Sequence, residues 1–136
     1  MSCAGTKTPS DSGGARVTDP CSFRLDEIHW NDVCADGTRS ATLVGTRDAG
    51  VQFTYGFSIP AGFWDAPHSH CADAHVFVVA GELRLGYGVD ADHSLAQAYP
   101  AGSFLYVPSG MVHFDGAEVD TVILGNAVGP WSTDYA

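Results

Sequence analysis

From Ala41 onward, apolar and polar residues alternate over short runs, and nearly every run ends at a glycine or a proline. Alternation with a period of two marks a half-buried strand, because successive side chains point to opposite faces. The pattern predicts strands over residues 41–46, 51–59, 75–80, 82–87, 104–107 and 121–125. Turn chemistry punctuates nearly every gap: Gly50, Pro60-Ala61-Gly62, Gly81, Gly86, Gly88, Pro100-Ala101-Gly102, Pro108, Gly110 and Gly116. Strands recurring about every 10 residues predict a sandwich or barrel. The best helical stretch, residues 90–98 (DADHSLAQA), is expected to be a loop holding one turn. Residues 23–33 mix Phe23, Leu25, Ile28, Trp30 and Val33 with acids, which suits a strand or a short amphipathic turn. Residues 1–20 are almost free of apolar side chains and are expected to form a flexible tail, leaving 21–136 as the domain.

Composition narrows the function classes. A chain of 136 residues with 45% hydrophobic residues is long enough for one domain with a real core. Only 16% of residues are charged and the net charge is −10. That charge excludes an electrostatic footprint for nucleic acid and a basic handle for anionic lipid. No apolar run approaches the roughly 20 residues of a membrane span. Cys3, Cys21, Cys34 and Cys71 form no CxxC pair, so free thiols are expected. Residues 1–20 show no apolar core of a signal peptide, and the expected compartment is the cytoplasm.

Histidine placement brings in chemistry. His68 and His70 form an HxH pair, His75 follows five residues later, and His113 lies 38 residues beyond His75. Two residues apart on an extended strand, His68 and His70 project from one face and reach one metal ion. Neutral imidazole is a common ligand for zinc, iron, copper, nickel and manganese. By itself an HxH is as often a pair of surface histidines on a half-buried strand.

The glycine and proline frame changes that weighing. Gly62 is followed by five residues and then by His68, Ser69 and His70, and the segment closes on Gly81. Gly102, Pro108, Gly110 and His113 form a second segment without a gap. The 20 residues from Glu82 to Ala101 separate the two. These segments resemble the two motifs of the cupin superfamily, G-x5-H-x-H-x3-4-E-x6-G and G-x5-P-x-G-x2-H-x3-N. The stretches HVFVVAGELRLGYG, YPAGSF and GPWSTDY also look like a group of bacterial single-domain cupins. The resemblance covers about residues 40–126 and implies an all-β jelly-roll barrel with one metal at its centre.

Two positions depart from the cupin pattern. Ala117 stands where the second motif has asparagine, a mild change because that asparagine is not a ligand. The first-motif glutamate, usually a ligand, is missing: Ala74 occupies the position seven before Gly81, and His75 the alternative one. Three readings of His75 follow. It replaces the glutamate, giving a site of His68, His70, His75 and His113. It faces away, giving a three-histidine site with three open positions. Or the site has decayed and binds nothing. Spacing to His70 favours the first and spacing to Gly81 the second. The first is preferred, since an unpaired buried imidazole beside three others is costly unless it binds something.

An all-histidine site is neutral, so a divalent ion keeps its full charge and attracts an anionic oxygen ligand. Fe2+ with open positions would serve a dioxygenase, and Zn2+ would serve a cyclase, isomerase or lyase by polarising a carbonyl. Mn2+, Ni2+ and Cu2+ are compatible with the same donors. The expected function is a metal-dependent enzyme on a small enolisable or aromatic molecule. Dioxygenase chemistry comes first, with a non-redox enzyme and a non-catalytic metal- or ligand-binding domain as alternatives. Tyr55, Tyr106 and Glu118 are the catalytic candidates on general acid–base grounds, although ordinary strand positions explain each of them more simply. Phe63, Trp64 and Phe114, adjacent to the histidines in sequence, are expected at the pocket mouth. Homodimerisation through edge strands is compatible with the fold.

Overall fold

A computed structural model describes residues 19–136, so nearly all of the tail expected over residues 1–20 lies outside the described residues. Eleven strands follow one another along these residues. They are β1 (Asp32–Val33), β2 (Arg39–Val44), β3 (Gln52–Ile59), β4 (Trp64–Ser69), β5 (Ala74–Ala80), β6 (Glu82–Tyr87), β7 (Gln97–Pro100), β8 (Phe104–Val107), β9 (His113–Gly116), β10 (Thr121–Val128) and β11 (Asp134–Tyr135). The six predicted strands all occur, with ends shifted by up to three residues. The stretch 23–33 holds both expected features, a 3-10 turn at Leu25–Glu27 and the short β1. The 90–98 stretch holds a single 3-10 turn, His93–Leu95, before it runs into β7.

The strands form two antiparallel sheets, ordered β1-β2-β3-β10-β5-β8 and β11-β4-β9-β6-β7. They pack face to face as a jelly-roll sandwich, which corrects the closed barrel expected above to two separate sheets. Each sheet turns one set of alternate residues inward. Phe57, Ile59, Val76, Val78, Leu83, Leu85, Leu105, Val107 and Ile123 fill the space between them. Burying each such side chain stabilises the fold by about 1.5–3 kcal/mol, so parity is strongly specified. On β5, Ala74, Val76 and Val78 are buried, and His75, Phe77 and Val79 are exposed. A slip of one residue would exchange those two sets.

One irregularity positions the site. In the β4–β9 pairing, Asp65 lies opposite Asp115 and His68 opposite His113, with a register shift between them on β4. The step from Asp65 to His68 is three residues, against two from His113 to Asp115. The extra residue forms a bulge at Ala66-Pro67, a place where proline's missing N–H costs no ladder bond. The bulge resets parity, so Asp65, His68 and His70 are all buried.

Among the described residues, Cys21 and Cys71 are free thiols. Cys34 is disulfide-bonded, which corrects the expectation of free thiols throughout. No helix of these residues is long and apolar enough to cross a membrane.

Candidate metal centre

Three histidines converge at one end of the sandwich. His68 comes from bulged β4, His70 follows the end of that strand, and His113 opens β9. One ring nitrogen from each lies within 4.8 Å of the other two. The two histidine segments are tied by a hydrogen bond from the Gly110 N–H to the His70 carbonyl, 2.9 Å. Gly110 holds that position at φ 77°, a left-handed conformation that disfavours a side chain.

The backbone orients each ring. His68 Nδ1 donates to the Ala66 carbonyl at 2.6 Å, and His113 Nδ1 to the Met111 carbonyl at 2.9 Å. His70 Nδ1 donates to the Ser132 carbonyl at 2.9 Å. A carbonyl can only accept, so these contacts place the proton on Nδ1 and leave the lone pair on Nε2. Nε2 of His68 and of His70 is buried without a partner. Burial pushes all three imidazoles below their ordinary pKa, so they are neutral at pH 7. Trp131 stacks on His70 with ring centroids 4.2 Å apart and fixes that ring from its other side.

Two carboxylates share the site. Asp65 Oδ1 accepts a hydrogen bond from the Tyr135 hydroxyl at 3.0 Å. Asp115 is 3% exposed, and its Oδ1 has no partner and lies 3.8 Å from His68 Nε2. Burial, with the like charge of Asp65 added, pushes the Asp115 carboxyl up to about 7. Tyr55, on β3, points its unpartnered hydroxyl inward, and burial holds it well above the ordinary tyrosine range. Tyr55, His70, Ala74, Val107, His113 and Asp115 line a cavity of about 20 Å³, room for one ion or water. Converging neutral nitrogens with orphaned lone pairs suit a divalent transition metal and leave it further coordination positions.

The structure does not bring the other sequence candidates here. His75 is exposed on the outward face of β5, paired with Tyr106 on β8. The four-histidine set expected above is thereby corrected to three, because burial of Ala74, Val76 and Val78 forces His75 outward. Tyr106 shares that outer face and is 48% exposed. Glu118 is exposed and pairs with Arg84 at 3.5 Å. Trp64 and Phe114 lie on the face of their sheet turned away from the histidines, where Trp64 stacks on His93 at 3.8 Å. Phe63 packs against the main apolar core. None of these three aromatics lines the histidine cavity: Phe114 follows the inward His113 and Trp64 precedes the inward Asp65, so both take the opposite face. Of the catalytic candidates, Tyr55 alone faces the cavity.

Sequence reading missed Asp65, Asp115 and Trp131. The signal for Asp115 was present in His113-Phe114-Asp115, where period two puts the acid on the histidine's face. Asp65 was hidden by the bulge, and Trp131 by its distance along the chain.

The sequence model of the ChrR cupin-like domain matches residues 19–132. Similar solved structures include a protein of unknown function from Streptococcus pyogenes, SPY1581. It is 21% identical with a TM-score of 0.63, over 85% of this chain and 93% of that one. KdgF from Halomonas sp. is 19% identical with a TM-score of 0.60, over 78% and 92%. The Rhodobacter sphaeroides structure of SigE in complex with the anti-sigma ChrR is 23% identical with a TM-score of 0.58, over 76% of this chain and 51% of that one. At these identities the likeness is one of fold. No curated protein matches. With the family match spanning most of its length and both histidine segments in register on a jelly-roll sandwich, the chain belongs to the ChrR cupin-like domain family of the cupin superfamily.

Proposed function

We propose that this chain is a metal-dependent cupin enzyme that holds one divalent transition ion through His68, His70 and His113 and acts on a small oxygenated molecule, enolisable or aromatic. One observation carries the reading: three buried imidazoles, pinned at Nδ1 by backbone carbonyls, bring their ring nitrogens within 4.8 Å of one another. Fe2+ or Zn2+ fits these donors first, and such an ion polarises a bound oxygen or, as iron with open positions, supports dioxygen chemistry. The chain's own residues supply the rest. The Tyr55 hydroxyl, kept protonated by burial and without a partner of its own, is placed to donate a hydrogen bond to a molecule bound in the cavity. Trp131, behind His70, limits how far that ring can turn. Dioxygenase chemistry stands first, because the histidine site leaves open positions for dioxygen and for a substrate oxygen. Zinc-type cyclase, isomerase or lyase chemistry needs only the polarised oxygen and one proton donor.

A second reading, a non-catalytic metal- or ligand-binding domain, is supported by membership in a family named for ChrR and by likeness to a chain solved as an anti-sigma factor with SigE. Homodimerisation stays part of the proposal, supported by the exposed aromatic band of Phe77, Phe104 and Tyr106.

The deciding experiment is elemental analysis of protein purified anaerobically without a histidine tag, followed by oxygen uptake with a panel of β-diketones and catechols. Iron with substrate-dependent uptake supports the dioxygenase. Zinc without uptake, but with turnover of an enolisable substrate, moves the reading to Lewis-acid chemistry. Stoichiometric metal with no turnover in the panel favours the binding domain, and no metal overturns the reading.

A further inference from the structure

Asp115 is a buried acid with a free oxygen beside a free imidazole nitrogen. Its carboxylate sits on β9, two residues after His113 and on the same inward face. Oδ1 has no hydrogen-bond partner and lies 3.8 Å from the equally unpartnered Nε2 of His68. Asp115 lines one cavity with His70 and His113, and its ligand oxygen groups within 4.8 Å with Asp65 and His68, so a turn of its side chain brings it to an ion shared with His70 and His113. The other carboxylate of the pair is already engaged, since Asp65 Oδ1 accepts the Tyr135 hydroxyl. Ala74 also lines the cavity, at the position where the cupin pattern has its carboxylate, and brings no donor.

We infer that Asp115 is the anionic ligand of this centre, taking from β9 the role that Ala74 on β5 cannot fill. The inference rests on the three-histidine reading above. Three neutral imidazoles would leave a divalent ion with its full charge in a buried cavity, a costly arrangement. One carboxylate halves that charge, and the ion supplies the partner that Oδ1 lacks. Two orphaned atoms of opposite character, a carboxylate oxygen and an imidazole lone pair, both seek a cation, and neither can satisfy the other when Asp115 is ionised. The resulting set is three nitrogens and one oxygen from four positions on β4, β9 and the turn after β4.

The test uses the full chain, stripped with a chelator and titrated with Zn2+ against a competing chelating dye and with Co2+ by visible absorption. Asp115→Asn keeps the side-chain shape and removes the charge. It should weaken Zn2+ binding by at least about tenfold, a loss that even supporting groups around a metal can cause. It should also shift the Co2+ ligand-field bands while one ion per chain is still bound. Asp115→Cys gives a positive signature: a thiolate-to-cobalt charge-transfer band absent from the parent. Parent-like Zn2+ affinity together with an unchanged Co2+ spectrum in Asp115→Asn overturns the inference, and so does a folded, cobalt-bound Asp115→Cys lacking that band. His70→Ala separates this failure from failure of the underlying reading. If His70→Ala abolishes stoichiometric binding and Asp115→Asn leaves it untouched, the three-histidine centre stands and the carboxylate ligand falls. If His70→Ala retains the ion at parent affinity, both fall.

Discussion

His75 and Tyr106 face each other on the outer surface of the six-stranded sheet, their rings 5.2 Å apart, while the buried histidine cluster is carried by the other sheet. His75→Ala should therefore leave metal stoichiometry and affinity unchanged, and shift thermal stability little because the side chain is exposed. Competition titration with Zn2+ checks this, and a tenfold loss of affinity would return His75 to the ligand set.

His113→Ala removes a proposed ligand at the first residue of β9. The variant should lose stoichiometric metal. In the parent, metal at 1,000 times its Kd stabilises the fold by about 4 kcal/mol. Thermal melts of the parent and of His113→Ala, each with and without added Zn2+, should show a rise for the parent alone. An equal rise in the variant would remove His113 from the site.

The metal-free protein should lose stability as pH falls below about 6.5. Burial holds His68 at about 4 and pushes His70 and His113 down as well. Unfolded imidazoles take up protons near pH 6.5 while the folded ones do not, so the unfolded state binds more protons across that window. Asp115 works in the opposite sense: its carboxyl, raised to about 7, favours the folded state as pH falls. Three groups outweigh one. Melting temperatures of chelator-treated protein should drop progressively from pH 6.5 to pH 5, and a flat or rising profile would contradict the buried, neutral histidines.

Gly125 lies opposite Tyr55 in the β10–β3 pairing, and a Cβ there would overlap the Tyr55 ring. Gly125→Ala should cost about 1–3 kcal/mol, the usual range for overpacking a filled core. It should also displace the Tyr55 hydroxyl that faces the histidine cavity. Urea unfolding measures the first effect. A variant as stable as the parent would mean that the ring moves freely.

Much of the fold was legible because its determinants are local. Period-two alternation, with glycine and proline at the turns, located six strands. In β5 it also carried the information that places Ala74 inward and His75 outward, although spacing to His70 argued the other way. Which alternate set lies inward is decided by total burial: Val76 and Val78 outweigh one imidazole. The spacing of His68, His70 and His113 likewise marked the cluster, because two strand segments bracketed by turn residues place those rings on one face.

What only the tertiary structure decided depends on how strands meet. The bulge at Ala66-Pro67 put Asp65 on the same face as His68, against simple alternation. The pairing of β4 with β9 set Asp65 opposite Asp115 and brought Asp115 to His68 from 47 residues away along the chain. The chain returned at residue 131 to lay an indole on His70. Phe114, next to His113, and Trp64, four residues before His68, were sent to the far side of their sheet, where His93 packs on them. By itself the sequence determined residue types and their local period, hence the strands and the three histidines. Register and bulges, which are properties of strand pairs and not of single strands, decided which acid accompanies them.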